Sequence, residues 1–367
     1  MGLFASCQPE EEMAPQQPTI EVMGYVSLFD ENVAQTRAWL PPSGFLLYDY
    51  DNSICISFTK DGEEPKNGHF FKGSGGKWRT NLEIESSEIS TPFYLYGYVP
   101  NSQGIRYSIT DKNGNVSTGS EYSEGAIITL QNVPTVMTSD LCVLVGARNG
   151  EADYSENEDY RVTGLQRGTF SYQAKAITGG SSAGNYIFLL FDHIYSSLNV
   201  NMKVHAEYNA LRTIKLKDLT VQSSGDYSLT KEKTTVTVTL DANDNGDDPI
   251  TNISFTPTGE TKEEANVFHS STGLALGTSY WNNESFFMPY GVTKLVMKST
   301  YDVYDKQGNL VRENCEATNT FDLKKLFGER FEKVDRGDRY TINLTIRPTY
   351  LYMLSEPDLD SPTMTVE

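Results

Sequence analysis

The stretch TTVTVTL, residues 234–240, shows the pattern that decides the fold of this chain. Val236, Val238 and Leu240 alternate with threonines, so one face of the segment is apolar and the other is polar. A period of two residues is typical of a strand with one buried face. The segment YTINLTIRP, residues 340–348, alternates in the same way.

Similar runs recur along the 367 residues, and Gly, Asn, Asp and Pro separate them. Helical periodicity is scarce, and the best two segments are KEEANVF at 262–268 and DLKKLFGERF at 322–331. Tyr, Phe, Thr and Val, which favour strands, are abundant. The sequence therefore predicts an all-β fold of β-sandwiches with short helical turns.

Charge and composition exclude several classes of function. The formal net charge of −19 argues against nucleic acid as a partner, because binding phosphates requires clustered Lys and Arg. No apolar run approaches the roughly 18 residues of a membrane helix. The four cysteines show no C-x-x-C spacing and no H-x-x-x-H motif occurs, so no metal and no cofactor is predicted, and Cys55 and Cys142 are predicted to be buried thiols.

The length suits about two domains. The Gly/Ser-rich stretch TGGSSAGN at 178–185 predicts a boundary between an N-terminal sandwich, residues 19–180, and a C-terminal one, residues 181–367. A boundary in VQSSGD, residues 221–226, is the alternative. Residues 1–18 are predicted to be a disordered tether.

One turn sequence occurs twice, in YSITDKNGNV at 107–116 and YDVYDKQGNL at 301–310. Gly114 and Gly308 can supply the positive φ that a tight hairpin requires. The repeat indicates either two related domains or a favoured hairpin that arose twice.

Two motifs raise the question of chemistry. GGSSAG contains G-x-S-x-G around Ser182, but a strand-like segment follows it where a hydrolase has a helix, so a flexible linker is favoured over a catalytic serine. DANDNGDD places Asp241, Asn243 and Asn245 like the first ligands of a calcium loop, but Asn252 stands where such a loop has glutamate. An acidic hairpin loop is favoured over a weak calcium site.

The chain opens MGLFASCQPEEE, in which Cys7 follows small residues and precedes an acidic, Pro-rich stretch. LFASC is similar to the end of a bacterial lipoprotein signal, although the basic and apolar regions of a full signal are missing. Cys7 is therefore predicted to be a lipidation site, and a free thiol in a ragged terminus is the alternative.

Several stretches in order resemble the fimbrillins, the subunits of the type V pili of Bacteroidetes. The matching stretches are TRAWLPPSG at 36–44, FYLYGYVP at 93–100, FLLFDHIYSSL at 188–198, FMPYGVTK at 287–294 and GDRYTINLTIRPTYLYML at 337–354.

The resemblance implies two transthyretin-like β-sandwiches in tandem, no catalysis and a place on the cell outer membrane or in a fimbrium. It also implies an assembly mechanism: a lipid-anchored precursor loses its N-terminal strand to a trypsin-like protease, and another pilus subunit supplies a replacement strand. A host or bacterial surface ligand is the further partner of a tip adhesin.

This chain has segments that could serve those steps. Residues 1–36 contain no Lys or Arg, so Arg37 is the first site for such a protease, and residues 19–37 are the predicted removable strand. Residues 19–29 are predicted to be an edge strand whose apolar residues of one parity fill a groove: Ile20, Val22, Val26 and Leu28. The alternative is an ordinary first strand and an incidental arginine.

A surface glycan-binding lipoprotein is the rival function, since it would share the anchor, the sandwiches and the acidity. An exposed platform built from Trp39, Trp78 or Trp281 would favour it. His193, in FDHIY, is predicted to be a hydrogen-bonding residue and not a ligand.

Overall fold

A computed structural model gives the fold. It describes the following residues: 20–26, 30–31, 53–60, 66–72, 78–80, 92–99, 104–117, 120–137, 139–150, 167–173, 185–224, 231–261, 265–282, 286–289, 291, 293–327, 335–351 and 356–366. Strands make up most of these ranges, so the prediction of an all-β fold is confirmed.

The strands of the N-terminal half are β1 (Ile20–Val26), β2 (Asp30–Glu31), β3 (Ser53–Lys60), β4 (Lys66–Lys72), β5 (Trp78–Thr80), β6 (Pro92–Val99), β7 (Arg106–Thr110), β8 (Gly125–Pro134), β9 (Cys142–Gly150), β10 (Ser171–Gln173) and β11 (Asn185–His193). Those that follow are β12 (Tyr195–Val204), β13 (Thr213–Ser224), β14 (Lys231–Asp241), β15 (Ile250–Thr261), β16 (Ala265–Leu276), β17 (Trp281–Asn282), β18 (Phe286–Pro289), β19 (Lys294–Tyr304), β20 (Leu310–Asp322), β21 (Asp338–Leu351) and β22 (Glu356–Val366).

The helices of the described residues are short. They are a 3₁₀ helix at Ser120–Glu124, α1 at Ala206–Leu211 and α2 at Leu323–Phe327. The helix predicted at 322–331 is confirmed over α2, and residues 328–331 lie outside the described residues. The helix predicted at 262–268 is wrong, because β16 begins at Ala265 and pairs with β13, and tertiary pairing overrides weak local propensity.

Two sheets pack face to face around one apolar cluster. Sheet A has the order β10-β6-β3-β4-β5-β1-β11-β9, with β6 also paired to β9, and sheet C has the order β15-β14-β8-β7. Buried Tyr96, Val143 and Leu190 of sheet A meet Ile128 and Val238 of sheet C. We call this pair the AC sandwich.

Two further sheets enclose a second cluster. Sheet B has the order β17-β12-β21-β2, with β18 on β12 and β22 on β21, and sheet D has the order β16-β13-β19-β20. Val200 and Leu344 of sheet B meet Leu216, Met297 and Val303 of sheet D. We call this pair the BD sandwich.

Strand pairing crosses the predicted boundary between residues 180 and 181. Strand β11, which follows the boundary, joins sheet A through β9 and β1. The hairpin β14–β15 also joins the AC sandwich, through β8. Because β13 and β16 pair with each other in sheet D, the chain from β13 to β16 forms one long ribbon that runs through both sandwiches.

Burial follows the alternation of the sequence. Val236, Val238 and Leu240 of β14 have no exposed surface, whereas the threonines between them are partly exposed. Ile342 and Leu344 of β21 are likewise buried. One apolar face per strand is the pattern from which two-layer packing follows.

Candidate functional site

The N-terminal strand lies inside sheet A. Strand β1 pairs in parallel with β11 along its whole length, from Ile20 opposite Asn185 to Val26 opposite Phe191. On its other side Val22 pairs with Trp78 of β5 in antiparallel orientation. The prediction of an edge strand is therefore wrong, because β5 and β11 flank β1 on both sides.

The same N-terminal segment also contacts the other sandwich. Strand β2 pairs in parallel with β21 at the start of the latter, Asp30 opposite Asp338 and Glu31 opposite Arg339. Residues 20–31 therefore add a strand to sheet A and a short strand to sheet B. Removing them would leave their neighbouring strands unpaired on one side in each sheet.

Other residues predicted for assembly and chemistry lie outside the described residues. They are Cys7, Leu28, Arg37, Trp39 and Ser182. For Ile20, Val22 and Val26 the structure describes the backbone register alone, so their role in filling a groove stays a prediction.

Strand β11 is the parallel neighbour of β1 in sheet A. Leu189, Leu190 and Phe191 have at most 2% of their surface exposed, and Leu190 belongs to the core between sheets A and C. Because these residues pair with Gly24, Tyr25 and Val26, the backbone of β1 covers the edge of a strand that is apolar at this end.

A cluster of four charged side chains lies where β11 leaves sheet A. Asp192 has no exposed surface, and its Oδ2 lies 2.5 Å from Nη2 of Arg167 and 2.7 Å from Nη1 of Arg336. Asp248, one-third exposed, accepts a second bond from Arg167 at 2.9 Å and contacts Arg336. We call these four residues the junction cluster.

The junction cluster ties elements that are far apart in the sequence. Arg167 precedes β10, Asp248 precedes β15, and Arg336 precedes β21 of the other sandwich. Although burial opposes the charge of Arg336, the carboxylates of Asp192 and Asp248 raise the pKa of this guanidinium. Arg336 also donates a hydrogen bond to the backbone carbonyl of His193 at 3.3 Å, so the cluster contacts the connection between β11 and β12.

The next residue, His193, faces a second polar group. Its Nδ1 lies 2.6 Å from Oδ2 of Asp140 and 3.5 Å from Sγ of Cys142, and the thiol lies 3.1 Å from the same carboxylate oxygen. All three residues are buried, with at most 5% of their surface exposed. We call them the thiol triad. His193 is hydrogen-bonded, as predicted, and Cys142 is a buried thiol, as is Cys315.

Sequence reasoning missed both groups. A signal was present in YIFLLFDHIY, residues 186–195, where Asp192 and His193 interrupt a run long enough to be a buried strand. A charge inside such a strand requires partners of opposite charge or a hydrogen-bonding network. No local spacing identifies those partners, because Asp140 and Arg336 come from distant parts of the chain.

The loop at 241–248, for which the sequence favours an acidic hairpin over a weak calcium site, forms hydrogen bonds among its own polar groups. Oδ1 of Asn243 accepts the N–H of Gly246 at 3.1 Å, and Oδ1 of Asn245 accepts that of Asp247 at 3.2 Å. Asp241 forms an ion pair with Lys112 at 3.1 Å across the sheet. These contacts are those of a hairpin loop.

The repeated turn has the same geometry in both places. Asp111 and Asp305 each accept two backbone N–H groups of the turn on Oδ1, at 2.8 to 2.9 Å. The glycines, Gly114 and Gly308, have φ of 81° and 89°. The first turn leads from the edge strand β7 to β8, but the second leads from the inner strand β19 to β20. This difference favours a hairpin that arose twice.

The described tryptophan side chain belongs to the edge of a core. The ring of Trp281 meets that of Phe268 edge-on, with centroids 4.8 Å apart, and it packs against the BD cluster. The neighbouring Tyr280 is exposed, with the ammonium of Lys203 4.3 Å from its ring centre.

These features define an all-β protein of stacked sheets in which the first described strand lies between two others. No family model matches the sequence, and no curated protein matches it either. No described helix has the length and hydropathy to cross a membrane.

Solved structures resemble the fold over nearly the whole chain. One is a proposed cell adhesion protein from Bacteroides uniformis, 12% identical, which covers 96% of this chain and 98% of its own with a TM-score of 0.40. Another is the fimbrial anchor protein Mfa2 from Porphyromonas gingivalis, 13% identical over 95% and 97% of the two chains with a TM-score of 0.28. A third is a proposed adhesin from Bacteroides ovatus, 9% identical over 93% and 91%, with a TM-score of 0.36.

Proposed function

We propose that the protein is a fimbrial subunit or tip adhesin of a bacterial surface, without enzymatic activity. In this proposal a lipid on Cys7 holds the precursor at the outer membrane, and a trypsin-like protease cuts after Arg37. The strand β1 then leaves sheet A, and a strand of another subunit takes its place.

The observation that carries the proposal is the position of β1. It is the first strand of the described chain, yet it lies between β5 and β11, which come much later in the sequence. A strand in that position is held by backbone hydrogen bonds that any extended segment of suitable side chains can make. The resemblance of the sequence to fimbrillins points to the same mechanism.

Loss of β1 would leave a costly gap. The two flanking strands would each expose a row of backbone donors and acceptors, and such edges pair readily with other chains. The part of the burial of Leu189, Leu190 and Phe191 that β1 provides would also be lost, at up to about 1.5–3 kcal/mol per side chain. The opened subunit would therefore gain stability from a replacement strand.

The rival, a glycan-binding lipoprotein, has less support among the described residues. A sugar platform needs an exposed, flat aromatic surface, but Trp281 meets Phe268 edge-on and packs against a core. The exposed Tyr280 is capped by Lys203.

Limited trypsin digestion tests the proposal. We expect cleavage after Arg37 before any cut in the sheets, and we expect the clipped protein to polymerise or aggregate once its N-terminal fragment is washed away. Arg37→Ala should remain whole and monomeric, whereas the control Lys306→Ala, in the exposed β19–β20 turn, should be cut as the unmodified chain is. Size analysis and N-terminal sequencing give the readout.

A peptide of residues 18–31 tests strand replacement directly. It should bind the clipped protein and restore a monomer, and a scrambled peptide of the same composition should not. A clipped protein that stays a stable monomer and binds neither peptide would refute strand exchange.

Membrane fractionation tests the lipid anchor. Expressed behind a complete lipoprotein signal, the chain should be bound to membranes. Cys7→Ser should release it, whereas Cys315→Ser should not.

A further inference from the structure

We propose that the thiol triad, Asp140, Cys142 and His193, is a binding site for a divalent metal ion of the zinc type. This site is independent of the strand-exchange mechanism. It would be a structural site that fixes the end of β11, next to the junction cluster. The argument rests on donor type, on position in the sheet and on the distances between the donor atoms.

The sheet brings the three residues together by its register. Cys142 and His193 are directly opposite each other in the antiparallel pair β9–β11. Side chains in that relation lie on the same face with Cβ atoms about 5 Å apart. Asp140 comes two residues before Cys142, and the backbone bond from Ile194 N–H to Leu141 C=O closes the end of the pair at 2.9 Å.

The donor set is that of zinc. Thiolate sulfur, imidazole nitrogen and carboxylate oxygen are the three ligand types that Zn²⁺ uses in proteins. Calcium and magnesium prefer oxygen alone, so the thiol and the imidazole disfavour them. Among the described residues, this is the group of His, Cys, Asp and Glu side chains whose donor atoms lie close enough to share an ion.

The distances are close to those of a tetrahedral site. Bonds of the usual lengths place the donor atoms about 3.3 to 3.6 Å apart. The sulfur of Cys142 lies 3.5 Å from Nδ1 of His193 and 3.1 Å from Oδ2 of Asp140. The oxygen and the nitrogen lie at 2.6 Å, the length of a hydrogen bond, and must separate by about 0.7 Å to admit the ion.

Proton balance favours the ion in this environment. Binding displaces two protons to solvent, the thiol proton of Cys142 and the Nδ1 proton of His193 that takes part in the hydrogen bond to Asp140. The imidazole that binds through Nδ1 is neutral and carries its proton on Nε2. One thiolate, one carboxylate and a divalent cation then sum to zero charge. A neutral complex suits three buried residues, because an uncompensated charge there would be costly.

The ion would complete its shell with a water or with the second oxygen of Asp140. Because the site is closed, the ion would enter as the chain folds, and metal affinity would add to folding stability. His193 adjoins Asp192, so the ion would also hold the strand that carries the junction cluster.

The chain offers two matched controls. His269 and Asp218 form a second pair, in which Nδ1 lies at the same distance of 2.6 Å from a carboxylate oxygen, but the imidazole is 65% exposed. Cys315 is a second buried thiol. Neither belongs to a group of three ligands among the described residues.

Metal analysis of the full chain tests the proposal. The protein is refolded with a slight excess of Zn²⁺ or Co²⁺ and passed through a desalting column. We expect about one ion per chain and, with Co²⁺, the near-ultraviolet charge-transfer band of a thiolate ligand. The melting temperature should rise with zinc and should fall back when a chelator is present during refolding.

Variants assign the site. Cys142→Ser and His193→Gln should lose the ion and the band, whereas Cys315→Ser and His269→Gln should keep both. If the unmodified chain retains no ion, or if its cobalt complex lacks the thiolate band, the proposal is overturned without recourse to variants that could misfold. Equal metal content in Cys142→Ser and Cys315→Ser would overturn it as well.

Discussion

Asp192 is a carboxylate without exposed surface that two guanidinium groups hold in place. Its position is the last but one of β11, one turn before the chain enters sheet B. A buried ion pair adds little net stability compared with apolar residues of the same shape, but the loss of one member leaves an uncompensated charge. Removing the charge of the Asp192 carboxylate should therefore lower the stability of the fold strongly.

We expect Asp192→Asn to lower the free energy of unfolding by about 3–5 kcal/mol. Arg167 and Arg336 would then share Asp248, which is one-third exposed, as their charged partner in the cluster. Asp218→Asn is the control, because its exposed pair with His269 should contribute less than about 1 kcal/mol. Urea unfolding measures the free energy of unfolding of both variants. A decrease of less than about 1 kcal/mol in Asp192→Asn would contradict this account.

The hairpin turns are the clearest case at the scale of the element. A hydrogen bond from the side chain of Asn309, followed by backbone N–H groups of the turn, lowers the pKa of Asp305. At Asp111 the hydroxyl of Ser117 makes the largest contribution, and backbone N–H groups again add to it, so this pKa is lowered too. Each turn is therefore stabilised by an ionised carboxylate.

This arrangement predicts a dependence on pH. Because the folded-state pKa lies below the unfolded one of about 3.9, the ionised Asp305 stabilises the fold above that pH, and the effect is lost as the pH falls through the folded-state pKa. Asp305→Asn should be less stable than the unmodified chain at pH 7, and the difference should shrink towards pH 3. Thermal unfolding at several pH values measures it.

Asp244→Asn, a change at an exposed position of the β14–β15 loop, is the control for that series. Its difference from the unmodified chain should vary less with pH. A difference at Asp305 that stays constant from pH 7 to pH 3 would mean that its charge does not hold the turn.

At the scale of the whole molecule, the two sandwiches depend on each other because the chain passes repeatedly between them. The chain moves from one sandwich to the other between β1 and β2, between β2 and β3, between β11 and β12, and along the ribbon from β13 to β16. The junction cluster adds side-chain bonds at the same boundary. The AC core therefore depends on residues from the second half of the sequence.

We expect residues 19–180 to remain unfolded when they are expressed alone. That fragment lacks buried members of the AC core: Leu190, Ile194, Tyr195, Val236, Val238, Leu240 and Ile253. At about 1.5–3 kcal/mol each, their absence removes about 10–20 kcal/mol of apolar burial, which exceeds the stability of most domains. Circular dichroism and proton NMR of the fragment give the measurement.

Co-expression with residues 181–367 is the complement to that experiment. The two fragments together should recover the spectrum of the full chain, since they supply every strand of both sandwiches. A fragment 19–180 that is monomeric and unfolds cooperatively by itself would instead support the boundary predicted from the Gly/Ser-rich stretch.

Individual strands were predictable because their signal is local. The alternation in residues 234–240 and 340–346 indicates the apolar face of β14 and β21 that is buried, although Thr345 of the other face is buried as well. The D-K-x-G-N turns define two hairpins. The segment 262–268 misled because its short helical pattern competes with pairing to β13, which no local window contains. The site was less predictable, since His193 and Cys142 were recognised one by one and their partners Asp140, Asp192 and Arg336 were not.

By itself the sequence determined the all-β class, the buried parity of its strands and the chemistry of its turns, because each depends on residues a few positions apart. The tertiary structure decided the rest. The place of β1 between β5 and β11, the ribbon that joins both sandwiches and the meeting of Asp140 with His193 all depend on pairing between distant segments. Strand pairing obeys backbone hydrogen bonds that are the same for every residue, so the order of strands in a sheet leaves little trace in the sequence.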